Sequence, residues 1–151
     1  MRGFGKSVPP FHSGVRSDVE NFLSKFVEVK SIRYDHFAKC FRDMQLHLLF
    51  RGRQTDAEYR EVVEKTLRLV LTFAFPPYNF QTRVGAIYLL YGLYFLQYQP
   101  YAMKIRIIVA EWKILIEFLS ELTQQRHFDV CYVLHKLISQ HAFYITACVE
   151  E

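Results

Sequence analysis

An adjacent pair of prolines followed by an almost uncharged aromatic segment most constrains how this chain can fold. Pro76 and Pro77 end the preceding helix, because proline has no backbone N–H to donate and keeps the residue before it out of helical angles. The next segment, residues 79–97, carries Arg83 as its only charge. A helix with so little polar surface must be buried on almost every side, by its own domain or by a partner.

Two glycines lie inside this segment. Gly85 and Gly92 are seven positions apart, so they project from nearly the same helix face. Glycine inside a helix costs about 1 kcal/mol relative to alanine. We therefore expect both glycines to lie at a helix crossing, where another helix closely approaches the backbone.

Capping signals and apolar stripes predict helices in the first half of the chain. Ser17 and Glu20 have the spacing of a capping box, and so do Thr55 and Glu58. The first helix is therefore predicted to begin at residue 17, a second to span residues 34–50, and a third to end near residue 75. With the segment at 79–97, these patterns predict four helices in this half.

The second half is less regular. Residues 104–109 are compatible with a short extended entry, although a helix continuing through residue 121 fits the pattern better. A further helix is predicted at residues 128–139, and the tail at 142–149 is compatible with helix or strand. Together the patterns predict an all-α fold, a compact bundle of six or seven antiparallel helices. Residues 1–16 are predicted to be a flexible N-terminal lead-in and residues 17–149 a single helical scaffold domain.

Aromatic residues make up 17% of the chain, more ring area than a domain of 151 residues usually buries. We therefore expect a permanent protein partner. For any single ring an ordinary core position is the competing interpretation. The candidate partner-interface residues are the aromatic side chains of the uncharged segment and the lone tryptophan, which lies off the predicted inner stripe of its helix: Tyr88, Tyr91, Tyr94, Phe95 and Trp112.

The formal net charge is +4, and no acidic residue lies between Glu64 and Glu111. Such a segment favours contact with phosphates or with an acidic partner, although cations on solvated faces are an equally good interpretation. Arg83 is predicted in the first turn of its helix, where the helix dipole disfavours a cation, and this hints at an anionic partner. The candidate DNA-phosphate contacts are Arg51, Arg53, Arg83, Lys104 and Arg106.

The sequence contains few patterns typical of metal-binding, cofactor-binding or catalytic sites. His36 with Cys40, and Cys131 with His135, have helical i, i+4 spacing that is compatible with a zinc site, but no Cys-x-x-Cys element accompanies them. Buried structural cysteines are the preferred interpretation. No phosphate-binding loop or dinucleotide motif is present, so we expect no cofactor, no metal and no catalytic activity. The dense apolar run at 84–96 would rise only about 20 Å, too short for a membrane span.

The central motifs also resemble a known family. Pro76-Pro77-Tyr78, Phe80-Gln81, Arg83-Val84-Gly85-Ala86 and the run from Tyr88 to Tyr94 are similar to the N-terminal region of subunit 1 of the small-nuclear-RNA-activating protein complex. Downstream, Lys104-Ile105-Arg106, Trp112 and His127-Phe128-Asp129 keep the order and approximate spacing of that family. The resemblance covers roughly residues 18–146.

This resemblance implies a nuclear, non-catalytic subunit that helps its complex recognise the proximal sequence element of small nuclear RNA promoters, for transcription by RNA polymerases II and III. The implied partners are the large Myb-repeat subunit and subunit 3 of the same complex, with TATA-binding protein as an indirect partner. Promoter DNA is then expected to be bound mainly through the complex. Two alternatives remain: a helical adaptor domain that binds a linear peptide, and a paralogue with a changed role in another nuclear complex.

Overall fold

The computed structural model describes residues 11–52, 55–97 and 102–147, with side chains described from residue 14 onward. Its fold is mostly helical, which confirms the predicted fold class. None of the helices within these residues is long and apolar enough to cross a membrane. The elements in chain order are α1 (Phe11–Val29), α2 (Tyr34–Asp43), a short 3₁₀ helix (Leu46–Leu48), α3 (Asp56–Thr72), α4 (Phe80–Tyr94), β1 (Ile105–Ile108), α5 (Val109–Gln124), α6 (Phe128–Ser139) and β2 (Phe143–Thr146).

Helix α4 is the centre of the core. It packs against α1, α2, α3 and α6, and every residue from Val84 to Leu90 is buried. This confirms the prediction that the uncharged segment is enclosed on almost every side. Most of the hydrophobic core is therefore organised around one helix that has little polar surface of its own.

The starts of α3 and α4 follow from their capping residues. The Thr55 hydroxyl accepts a hydrogen bond from the Glu58 backbone N–H, and the Glu58 carboxylate accepts one from the Thr55 N–H, which completes the predicted capping box. Asn79 caps α4 by accepting from the Thr82 N–H at 2.8 Å. Pro76 and Pro77, which are joined by a cis peptide bond, lie in the connection between these two helices.

Several helix boundaries differ from the sequence prediction: α3 ends at Thr72 and α4 at Tyr94, each about three residues early, and α1 and α2 differ by more. Helix α1 begins at Phe11 and not at residue 17, so Ser17 lies inside a helix and caps nothing; residues 11–16 are helical, and the rest of the predicted lead-in lies outside the described residues. Helix α2 ends at Asp43, earlier than residue 50, because Gln45 adopts a left-handed conformation with φ of 55°. The chain then turns Leu46 into the core through the 3₁₀ helix.

A two-stranded parallel sheet is the main departure from the predicted all-helical bundle. Ile105 pairs with Phe143 and Ile108 with Thr146, so the preferred helix at 104–109 was wrong, and the tail is a strand. Parallel strands need a crossover connection, and α5 and α6 provide it. The side chains of Ile105 and Ile107 are fully buried, which explains why this short alternating stretch forms a strand packed on α3.

The apolar spacing at residues 107, 110, 114, 118 and 122 predicts the inner face of helix α5, and the structure confirms part of it. Phe118 and Leu122 are buried, together with Leu115 and Leu119, whereas Ala110 and Ile114 are exposed. Ile107 is also buried, but it belongs to β1 and therefore has no helical phase with α5.

Helix α6 has the predicted bounds. The apolar spacing of residues 128–139 predicts Val130, Val133, Leu134 and Leu137 on its inner face, and all four are buried.

Candidate partner-binding surface

Many of the aromatic side chains pack together in one internal cluster around Tyr88. The ring of Tyr88 lies 5.1 Å from that of Phe37, 5.5 Å from Tyr34 and 6.1 Å from Phe26. The Tyr88 hydroxyl donates a hydrogen bond to the Ile32 carbonyl, in the connection between α1 and α2. Burial, followed by the nearby Asp129 carboxylate, raises the pKa of Tyr88 far above its ordinary value. Tyr88 therefore holds helices together as a neutral phenol.

Two of the five candidate interface residues do not lie on the surface. Tyr88 is fully buried, and Tyr94 retains only 4% of its exposure. The interface prediction was wrong for these two, because α4 is covered by four other helices of the same chain. Tyr91, near the end of α4, is half-buried, and Phe95, the residue directly after α4, is 37% exposed.

Tyr91 and Phe95 contribute to an apolar groove between α2 and α4, here called the α2–α4 groove. Its volume is about 260 Å³. The Tyr91 ring lies 5.2 Å from Phe95 and 6.0 Å from Tyr34, so the wall is made of rings that support one another. The residues lining it are Tyr34, Phe37, Ala38, Phe41, Arg42, Tyr91, Gly92, Phe95 and Leu96. A concave aromatic surface of this kind suits an apolar side chain of a partner protein.

Both glycines of α4 lie where another helix approaches. A Cβ atom built on Gly85 would lie 2.8 Å from Cδ2 of Phe26 in α1. One built on Gly92 would lie 3.0 Å from Cε1 of Phe41 in α2. The two glycines thus face two different helices, and Gly92 allows the rings of Phe37 and Phe41 to approach the α4 backbone beside the α2–α4 groove.

Trp112 is not among the residues that line that groove. It is half-buried, and its ring packs edge-on against Phe143 at 5.4 Å, which joins the first turns of α5 to strand β2. Its structural contact is therefore with the sheet, at a different place from Tyr91 and Phe95.

Three of the five cations between Glu64 and Glu111 are paired with carboxylates: Lys65, Arg68 and Arg106. Arg68 makes a bidentate ion pair with Glu111, with N–O distances of 2.7 and 2.8 Å, and it also donates to the Arg106 carbonyl. Arg106 lies 3.5 Å from Glu64. In the same way Lys65 pairs with Glu61 at 2.7 Å. Much of the positive field expected from the sequence is therefore neutralised by folding.

Arg83 and Lys104 are also engaged internally. The Arg83 Nε donates to the Ala74 carbonyl at 2.8 Å, and its guanidinium carbon lies 3.8 Å from the centre of the Phe118 ring. Burial lowers the pKa of Arg83. The Lys104 ammonium donates to the His141 carbonyl at 2.6 Å. The position of Arg83 is thus explained within the chain, and an anionic partner for it stays a prediction.

The remaining candidate phosphate contacts lie near the turn at Gly52. Arg51 is exposed, and Gly52 has a positive φ of 86°. Arg53 lies outside the described residues. Exposure leaves Arg51 free to meet a polyanion in an assembly, but one cation contributes little affinity by itself.

In each His–Cys pair the histidine side chain is exposed and the cysteine side chain is buried. His36 is exposed and hydrogen bonded to Ser31, whereas Cys40 is buried. Cys131 is buried beside the Thr123 hydroxyl, and His135 is exposed. Over the described ranges, no three His, Cys, Asp or Glu side chains come together as a metal-binding group.

Among the residues that the structure describes, the most exposed aromatic side chains were not predicted from the sequence. Phe128 and Tyr132, one turn apart on α6, are 64% and 61% exposed, and Tyr144 on β2 is 55% exposed. Their i, i+4 spacing on the outer face of a correctly predicted helix was the available signal. Asp129, between them in sequence, is structural, because it accepts from the Tyr34 backbone N–H at 2.8 Å.

The family model and the relatives that this chain matches all carry the same description. Residues 15–151 match the family model described as small nuclear RNA activating complex (SNAPc), subunit 1. The human protein named snRNA-activating protein complex subunit 1 is 38% identical over 134 residues, 89% of this chain. The mouse protein of the same name is 36% identical over 143 residues, 95% of this chain.

Each of these alignments spans 36% of the length of the relative, so the chain corresponds to roughly a third of those proteins. The match covers the whole helical core described above, including α4 and the sheet. This chain belongs to the small nuclear RNA activating complex (SNAPc) subunit 1 family.

Proposed function

We propose that this chain is a non-catalytic scaffold subunit of the snRNA-activating protein complex and acts in the nucleus. In this role it supports recognition of the proximal sequence element of small nuclear RNA promoters, for RNA polymerases II and III. The partners are the Myb-repeat large subunit and subunit 3, with TATA-binding protein as an indirect partner. Membership of the family is the main support for this proposal.

The structural observation that carries the scaffold role is the α2–α4 groove. It presents Tyr91, Phe95 and Leu96 from the end of the central helix, and the last two are each 37% exposed. Rigid aromatic rings on a buried helix lose little conformational entropy when a partner covers them. The groove therefore suits a stable subunit contact.

A non-catalytic role agrees with the titratable side chains. Strongly shifted pKa values often mark catalytic groups. Here the raised pKa of Tyr88 and the lowered pKa of Glu111 are explained by burial and by structural hydrogen bonds.

DNA contact is proposed to be secondary for this chain. Arg68 and Arg106 are paired with carboxylates, and Arg83 and Lys104 donate to backbone carbonyls. Few of the predicted phosphate contacts are therefore available for counterion release. The isolated chain is expected to bind promoter DNA weakly and with little sequence preference, whereas the assembled complex binds it tightly.

The test is reconstitution with the partner subunits. A Tyr91→Ser/Phe95→Ser variant should co-purify at least tenfold less Myb-repeat subunit than the natural chain, because truncating two anchor rings removes about 2–4 kcal/mol of binding energy. Tyr144→Ser, which changes a more exposed ring on the sheet, outside the α2–α4 groove, serves as the control. Circular dichroism checks that each variant keeps its helices.

Two outcomes would contradict the proposal. Recovery of neither partner subunit by the natural chain would reject membership in this assembly. Full recovery by the doubly substituted variant would reject the α2–α4 groove as the contact.

A further inference from the structure

Strand β2 lies at an edge of the two-stranded sheet. It pairs with β1 on one side, and its other main contact is with α5. Tyr144 and Ile145 point to opposite faces of the sheet, because successive side chains alternate along a strand, and both are exposed. Both faces of β2 are therefore accessible. We call the side of β2 that lies away from β1 the β2 edge.

The register shows which backbone groups face this edge. The Ile105 N–H donates to the Ala142 carbonyl at 2.8 Å, one residue before its pairing partner Phe143. In a parallel ladder, a residue that donates in this way also accepts, through its own carbonyl, from the residue after its partner, which is Tyr144. Tyr144 thus directs its backbone groups to β1, and Phe143 and Ile145 direct theirs to the β2 edge.

These outward groups have no partner in the described part of the chain. Within residues 11–52, 55–97 and 102–147, no hydrogen bond reaches the outward N–H and C=O groups of Phe143 and Ile145. They present two donors and two acceptors on alternate residues. This is the pattern with which an extended backbone pairs when it adds a strand to a sheet.

The composition of β2 does not discourage such pairing. Exposed edge strands usually carry a lysine, another charge, a proline or a bulge, each of which hinders the addition of a further strand. The sequence Phe143-Tyr144-Ile145-Thr146 has no charge and no proline, and its register with β1 is continuous. Aromatic and β-branched residues instead favour a strand with a neighbour on each side.

One face beside the β2 edge is apolar. On this face Trp112 of α5 is half-buried and packs edge-on against Phe143. Ile145 is exposed, although its register partner on β1, Ile107, is fully buried. An added strand with apolar side chains on this face would therefore cover Ile145.

We propose that the β2 edge binds an extended segment of another subunit, which adds a third strand to the sheet. The segment pairs through its backbone with Phe143 and Ile145, and its side chains on the Ile145 face are apolar. This inference rests on the proposed function, since the segment belongs to a partner in the assembly. It adds a contact made by residues outside the α2–α4 groove.

Residue-resolved hydrogen exchange tests the proposal without altering the chain. In the free chain, the outward amides of Phe143 and Ile145 should exchange about tenfold or more faster than the inward amide of Tyr144. In the complex reconstituted with the partner subunits, the outward amides should slow by about tenfold or more.

Two results of this experiment would overturn the proposal. Slow exchange of the outward amides in the free chain would show that the chain itself or a second copy covers the β2 edge. Unchanged exchange on assembly would show that no partner subunit pairs there.

A substitution at the edge gives an independent readout. Ile145→Pro removes one outward N–H, and proline is tolerated on an edge strand where that N–H would face solvent. It should weaken the association of at least one partner subunit by roughly fivefold or more. Ile145→Val keeps the N–H and a β-branched side chain, so it is the matched control and should stay within about twofold of the natural chain. Circular dichroism checks that both variants fold.

Unchanged association of the Ile145→Pro chain, or an equal loss with Ile145→Val, would overturn the proposal. Tyr144→Ser leaves the outward backbone groups in place and changes a ring on the face opposite Ile145. It therefore remains a control for the α2–α4 groove.

The two proposals fail differently. If the natural chain recovers no partner subunit, the complex assignment fails. If it recovers them but the outward amides stay unprotected and the Ile145→Pro chain associates normally, the β2 edge alone is rejected.

Discussion

The Asp129 carboxylate of α6 accepts a hydrogen bond from the backbone N–H of Tyr34 at 2.8 Å, across 95 positions of sequence. Tyr34 is the first residue of α2, and Arg33 before it provides no side-chain cap. The first turn of a helix leaves backbone donors without intrahelical partners, and a carboxylate there also interacts favourably with the helix dipole. Asp129 therefore ties α6 to the start of α2, next to the aromatic cluster around Tyr88.

Replacing this cap should lower stability measurably. Asp129→Ala is expected to reduce the free energy of unfolding by about 1 kcal/mol, the usual cost of losing a capping side chain. Urea denaturation followed by circular dichroism measures it. Asp18→Ala, at an exposed position on α1, is the control and should change stability by less than about 0.5 kcal/mol. Equal effects would show that Asp129 does not act as a cap.

The two glycines of α4 should respond differently to alanine. Gly85→Ala is expected to destabilise the fold by roughly 1–3 kcal/mol, because its Cβ would lie 2.8 Å from the fully buried Phe26 ring. At Gly92 the nearest atom is 3.0 Å away on Phe41, which is half-buried and lines the α2–α4 groove, and the next is 3.3 Å away on Phe37. Better helix propensity then offsets most of the strain, so Gly92→Ala should be nearly neutral. Thermal denaturation ranks the two; the reverse order would contradict this account.

The Arg68–Glu111 pair should make stability depend on pH. Burial alone raises the pKa of Glu111, but hydrogen bonds from Arg68 and from the Ile108 N–H, with the Arg68 charge, outweigh it and lower the pKa below its ordinary 4.5. The unfolded chain therefore binds a proton more readily than the folded one. The stabilisation from this pair is complete at a pH above the ordinary pKa of the unfolded chain. It is lost as pH falls through the lowered pKa of the folded protein.

Glu111→Gln should remove about 2 kcal/mol at neutral pH, less than for a fully buried pair because both side chains keep about a fifth of their exposure. It should also flatten the fall of stability below about pH 5. Unfolding free energies measured from pH 7 to pH 3 check both points. Glu61→Gln breaks the exposed pair with Lys65 and should leave stability and its pH dependence almost unchanged. A pH profile unaltered by Glu111→Gln would refute the assignment.

Arg83 is expected to contribute to the stability of the fold and not to DNA binding. Arg83→Lys keeps the charge but loses the planar stacking on Phe118 and the geometry of the bond to Ala74, so a loss of about 1–2 kcal/mol is expected. Calorimetry of the variant measures this loss. The salt dependence of promoter binding by the assembled complex should stay the same, since a phosphate contact would change its slope by about one unit. A reduced slope would restore Arg83 as a DNA contact.

Local signals predicted several elements correctly. The capping box at Thr55, the proline break after α3 and the stripe of α6 each depend on residues a few positions apart. The capping spacing at Ser17 failed because the same local pattern occurs inside α1, where the backbone donors already have helical partners. Strand β1 was misassigned because four residues carry too little periodicity, and its pairing partner lies 38 positions later.

A buried helix within residues 79–97 could be predicted from local sequence, because a nearly uncharged apolar helix must be covered on almost every side; the helix observed is Phe80–Tyr94. Which rings and cations remain available depends on the tertiary contacts. Tyr88 and Tyr94 became core because four helices converge on α4, and Arg68 and Arg106 became paired because Glu111 and Glu64 fold against them. Exposure and charge neutralisation depend on contacts between distant parts of the chain, which spacing along it does not encode.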